Sequence, residues 1–138
     1  MPKFSVISRS RLETCHQDLQ DICNTAIQYV DFSILCGHRG KEEQDRAFDE
    51  KRSTVRWPQS NHNRFPSLAV DVAPYVAGVG VDWSDLAAFA RLAGYLERIA
   101  HESGIKIRWG ADWNSNWRTV DERFIDAPHI ELVISEEP

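Results

Sequence analysis

Leu68-Ala69-Val70-Asp71-Val72-Ala73-Pro74 is the stretch on which the fold turns. Its larger apolar residues, Leu68, Val70 and Val72, fall at every second position, the period of a strand with one buried face, and Pro74 ends it. Ala69 and Asp71 take the other face, so the strand presents a carboxylate away from the larger hydrophobes. On either side the pattern changes to helix. Leu12, Cys15, Leu19, Ile22, Cys23, Ala26, Ile27 and Val30 recur at three- and four-residue steps, and Ser10-Arg11-Leu12-Glu13 reads as a capping box opening one long amphipathic helix. Leu86, Phe89, Ala90, Ala93, Leu96, Ile99 and Ala100 trace a second helix, which Asp82 or Ser84 can cap and Gly104 stops. Residues 32–36, 105–109 and 129–134 read as further short strands, 41–51 as a short exposed helix, and 76–81 and 110–125 as loops. Helices and strands in mixed order, without repeats, predict an α+β fold: a small, mostly antiparallel sheet packed with helices.

The 138 residues, 42% of them hydrophobic, suit one domain spanning 1–138 around one core. A net charge of -5 argues against a binder of phosphate backbones, so nucleic acid is not an expected partner. Against that background Lys51, Arg52, Arg56 and Arg64 form a local basic cluster, whose plain reading is a solvated surface and whose sharper one is recognition of carboxylates on an anionic peptide. Three cysteines, Cys15, Cys23 and Cys36, sit in apolar patterns and read as reduced, buried thiols. No apolar stretch is long enough to span a bilayer, and Met1-Pro2-Lys3-Phe4-Ser5 lacks the apolar core of a signal peptide. The expectation is a soluble protein made in the cytoplasm, monomeric and without stable membrane association.

Chemistry concentrates in the second half. His62, Asp71 and His129 offer two imidazoles and a carboxylate, and Asp126 stands three residues before the last of them. Three protein ligands with one open position is the pattern of a hydrolytic Zn²⁺ site, whereas structural sites are closed by four. Donor type alone leaves other divalent metals open. Asp126 is placed to act as general base and then as proton donor to a leaving amine. Glu131 shares a strand face with His129 and reads either as acceptor for a ligand's ring N–H or as a surface acid. His16 and His101, inside the two long helices, read as ordinary surface or boundary residues.

Five segments taken together, Gly37-His38-Arg39, Ser60-Asn61-His62, Ala69-Val70-Asp71-Val72-Ala73-Pro74-Tyr75, Gly110-Ala111-Asp112-Trp113-Asn114 and Asp126-Ala127-Pro128-His129-Ile130-Glu131, span most of the chain. In that order they resemble the zinc peptidases of the D-alanyl-D-alanine carboxypeptidase type, which share a fold with the Hedgehog signalling domain. The likeness is strongest to phage endolysins that cut the L-alanyl-D-glutamate bond of peptidoglycan. One departure stands out: Asp71 lies nine positions after His62 rather than the family's usual seven, and no Gly intervenes. A surface loop absorbs two residues at small entropic cost.

The resemblance implies more than the spacing does. It adds Arg39 as a catalytic residue, its guanidinium holding a substrate carbonyl oxygen or carboxylate as charge develops, against the plainer reading of a structural salt bridge. It implies that Ser60 touches substrate or orients the ligand loop, and that Trp113 walls the cleft. His38 and Asp112 receive no role, and Trp57, Trp83, Trp109 and Trp117 are expected in packing or at the cleft rim. The implied activity is a zinc endopeptidase on the stem peptide of bacterial peptidoglycan, held in the host cytoplasm until the membrane is permeabilised and then acting in the periplasm and wall. Alternatives are a D,D-carboxypeptidase or dipeptidase at D-alanyl termini, a non-catalytic zinc-containing binding module, and a metal-dependent nuclease prompted by Asn61-His62-Asn63. Acidic charge weakens the last of these.

Overall fold

The computed structural model describes residues 2–134. Strands β1 (Phe32–Cys36), β2 (Ala69–Pro74), β3 (Ile107–Trp109) and β4 (His129–Leu132) form one antiparallel sheet in the order β1-β2-β4-β3. Helices α1 (Val6–Leu12), α2 (Gln17–Ala26), α3 (Lys41–Asp49) and α4 (Leu86–Glu102) accompany it, with a single 3-10 turn at Asn61–Asn63. The class is the α+β arrangement that the alternating and helical periods predict.

The sheet has a dry face and a chemical one. Val70, Val72, Ile107, Trp109, Ile130 and Leu132 are buried in one cluster with Leu19, Ile22 and Cys23 of α2 and Phe89, Leu92 and Leu96 of α4. Full burial of each Leu- or Ile-sized side chain contributes roughly 1.5–3 kcal/mol. The period of two then turns Asp71 and His129 to the opposite face. Register finishes the alignment: Cys36 pairs with Asp71, and Asp71 pairs with His129, so three neighbouring strands place these side chains in one row.

Three local expectations are corrected. The first apolar stripe is two helices, not one: α1 is capped by Ser5 and α2 by His16, whose Nδ1 accepts from the Asp18 N–H at 3.0 Å. The break is made by a distant partner, since Ser67 donates to Thr14 O at 2.9 Å and accepts from His16 N at 2.8 Å, pulling residues 14–16 into an extended bridge. Ser10-Arg11-Leu12-Glu13 is therefore no capping box, and His16 caps the start of a helix rather than lying within one. The cap of α4 is Asp85, which accepts from Ala88 N at 3.0 Å, while Asp82 closes a turn on Ser84. Cys15 and Cys23 are buried thiols as read, but Cys36 is only half-buried and stands beside the site.

Candidate active site

Each imidazole is held by one nitrogen and offers the other. His62, on the 3-10 turn, directs Nδ1 at the Gly37 carbonyl, 2.7 Å away. A carbonyl only accepts, so Nδ1 carries the proton and Nε2 faces Asp71 Oδ1 at 3.1 Å. His129, at the start of β4, donates Nε2–H to Glu131 Oε1 at 2.7 Å and presents Nδ1 to Asp71 Oδ1 at 3.5 Å. Glu131 is in turn bound by Arg108, its neighbour across the β3–β4 ladder. The surface-acid reading of Glu131 is thereby excluded, for it is buried at 5% exposure.

These donors fit a metal. Ligands at 2.0–2.1 Å from a tetrahedral Zn²⁺ stand about 3.3 Å apart, and the two separations from Asp71 Oδ1 fall on either side of that figure. The charge pattern points the same way. Burial would raise the Asp71 carboxyl pKa, yet the two imidazoles hold it well below the usual carboxylate range. Burial would likewise depress both imidazoles, and Asp71 overrides it and pulls them up. The trio therefore draws positive charge into its centre. Cys36 Sγ also lies within ligand reach of His62 and Asp71, and Asp126 within reach of Asp71 and His129.

Asp126 is set apart by its freedom. Its carboxylate stands 3.9 Å from His129 Nδ1 and accepts no hydrogen bond among the described residues. Burial, followed by the charge of Asp71, raises its pKa to about 6, the range in which a carboxylate both takes and returns protons near neutral pH. Its backbone N–H donates to Gly110 O at 2.8 Å, and a Cβ on Gly110 would lie 2.3 Å from Asp126 O. Glycine is needed there because loop and strand backbones touch.

The remaining expected residues also reach the site. Arg39 lies 3.4 Å from Asp71 Oδ2 and donates to Gln44 Oε1 at 3.0 Å, so a salt bridge and a place in the cleft coexist. Ser60 caps the 3-10 turn, accepting from His62 N at 3.1 Å, which orients the ligand loop. The Trp113 ring centroid lies 5.3 Å from that of His129, and its Nε1–H donates to Phe124 O. His38 does not join them, since its ring packs edge-on against Phe65. Trp109 is core and Trp83 rims the cleft, but Trp117 is 90% exposed away from that cleft, contrary to expectation. Arg108, Gln44 and Cys36 are neighbours of the site that no sequence pattern marks. Gln44 is wholly buried, holding Arg39, Asn63, Ser53 and Val55 together.

A family profile described as "Phage L-alanyl-D-glutamate peptidase" matches residues 1–133. The chain belongs to that family. The L-alanyl-D-glutamate peptidase of Escherichia phage T5 is 34% identical over 136 residues, covering 95% of this chain and 98% of the relative. Among solved structures, the Serratia marcescens L-Ala D-Glu endopeptidase ChiX superposes with a TM-score of 0.74 at 29% identity, over 95% of this chain and 90% of that one. Membership thus extends through both halves of the site, from Gly37 to Glu131. Among the described residues, no helix is long and apolar enough to cross a membrane.

Proposed function

We propose that this phage-family peptidase is a zinc-dependent endopeptidase hydrolysing the L-alanyl-D-glutamate bond of peptidoglycan stem peptides, and that it serves as an endolysin. The observation that carries the reading is Asp126, free of hydrogen bonds among the described residues, beside a two-histidine, one-carboxylate donor set in a chain of this family. His62 Nε2, Asp71 Oδ1 and His129 Nδ1 would hold a zinc ion, which would supply the Lewis acidity that acidifies water and polarises a carbonyl.

The chain's own groups do the rest. The Asp126 carboxylate takes the proton of the attacking water and returns it to the nitrogen of D-glutamate as the C–N bond breaks. Arg39 places a fixed cation at the cleft, aimed at oxygen where negative charge develops. Gly37 and Glu131 fix the ring orientation of the two histidines. Trp113 and Phe124 wall the site and limit water around the reacting bond. Retention of Asp126 and Arg39 weighs against a non-catalytic binding module, and the named relatives favour the Ala–Glu bond over a D-alanyl terminus.

The test is mass spectrometry of fragments released from purified Gram-negative peptidoglycan by zinc-loaded and chelated protein. The expected products carry new L-alanine C-termini and D-glutamate N-termini, and vanish on chelation. Release of D-alanine alone would replace this reading with the carboxypeptidase one.

A further inference from the structure

Two chambers open beside Asp126 and Arg39, and they differ in available charge. The smaller, about 240 Å³, reaches His62 and His129; besides Arg39 its cations are Arg108, tied to Glu131, and Arg52, which lines both chambers. The larger, about 530 Å³, has Asp71, Asp126 and Arg39 at its catalytic end and is walled on the other side by α3 and the residues after it, where Arg46, Lys51 and Arg52 stand against Glu43. Arg52 is paired with Glu50, and Arg56 is turned aside onto Phe48 and Asp49. Among the described residues, Arg46 and Lys51 enter no ion pair. The larger chamber thus keeps unneutralised positive charge next to the reacting groups.

Lys51 is also held in an unusual way. Its φ is 62°, in the left-handed region. Its N–H donates to Phe48 O at 3.0 Å and that of Arg52 to Ala47 O at 2.8 Å, which together close α3 in a Schellman turn. That position is ordinarily glycine, because a Cβ is strained there. A lysine kept at a strained position on a cleft wall is an observed outlier that points to function.

We propose that Arg46 and Lys51 bind the carboxylate that D-glutamate retains on the leaving side of the scissile bond, and so select an acidic residue after alanine. This rests on the Ala–Glu reading above. A glutamyl residue whose nitrogen is in the scissile bond has two carboxyl groups, and chain continuation consumes at most one. The other stays anionic near the breaking bond, where a charge-assisted contact in a partly enclosed cleft discriminates against a neutral analogue. The competing role for Lys51 is favourable interaction with the α3 dipole, which requires no substrate.

The experiment compares kcat/KM for two synthetic peptides, one with L-Ala-D-Glu bearing the free carboxylate and one with it amidated, using wild type and the Arg46→Gln/Lys51→Gly double variant. Wild type is expected to prefer the acid at least about tenfold, and the variant's preference to fall towards one. Lys51→Gly alone is expected to raise Tm by roughly 3 °C by relieving the strained φ, so lost selectivity cannot be blamed on lost folding. Cleavage of both peptides at Ala–Glu with the preference intact in the variant, or no preference in wild type, overturns this inference and leaves the bond assignment standing. Cleavage of neither peptide overturns both.

Discussion

His62 and His129 face the same carboxylate oxygen, but the molecule holds them by different means. His62 hangs from a short turn and is locked by a backbone carbonyl, that of Gly37. His129 sits in a strand and is locked by a side chain, Glu131, backed by Arg108. A neutral carbonyl fixes the tautomer and little else, whereas a carboxylate also raises the basicity of its imidazole. One ligand is therefore set by the fold and the other by a charge relay. Each rests on a glycine at a close approach: a Cβ on Gly37 would lie 2.3 Å from Arg11 O, and one on Gly110 2.8 Å from His129 Cβ.

The largest effects should ignore this difference. His62→Ala and His129→Ala are both expected to lose zinc and to lower kcat/KM by about a thousandfold or more, the several kcal/mol that a bound metal contributes. Metal analysis of the purified variants checks this, and a His62 variant with full zinc would break the pairing. Asp126→Asn should separate chemistry from binding, keeping zinc while kcat falls about 10²- to 10⁴-fold. Without metal the Asp126 pKa is raised to about 6, and a bound dication would draw it down from there. Wild-type rates should climb with pH as Asp126 loses its proton and level off at or below about 6, and the residual rate of Asp126→Asn should lack that limb.

The next effects should expose the asymmetry. Glu131→Ala is expected to weaken zinc binding by about 10- to 100-fold, read by competition with a chelating dye. Gly37→Ala should instead destabilise the fold by about 2–3 kcal/mol, because backbone and Thr14 block its Cβ. Equal effects on affinity from the two variants would abolish the distinction. A further effect of similar size concerns acid stability of the metal-free protein. Burial would raise the Glu131 pKa, but His129 and Arg108 hold it down to about 2. A lowered folded pKa gives stability that is complete above the unfolded value near 4.3 and lost as pH falls towards 2, about 2–3 kcal/mol in all. Denaturant melts across that window should show the loss in wild type and not in Glu131→Gln.

Much of this was legible in the residues. The period of two around Asp71 fixed the central strand, and the Asp126-to-Glu131 run carried base, ligand and ligand partner on one short segment. What stayed hidden depends on partners remote in sequence. Nothing near Thr14 foretells Ser67, so one helical stripe conceals two helices. The placement of Cys36 beside Asp71, and of Arg108 beside Glu131, follows from strand register, which alternation alone does not specify. Lys51 was read as part of a basic cluster, but its left-handed backbone is set by how α3 ends.

The central claim is a centre of two imidazoles and one carboxylate, with the nearby thiol left out. Zinc-edge X-ray absorption on the loaded protein tests it directly. The account predicts only nitrogen and oxygen scatterers at about 2.0–2.1 Å, two of them imidazole. A sulfur shell near 2.3 Å, from Cys36, would contradict it.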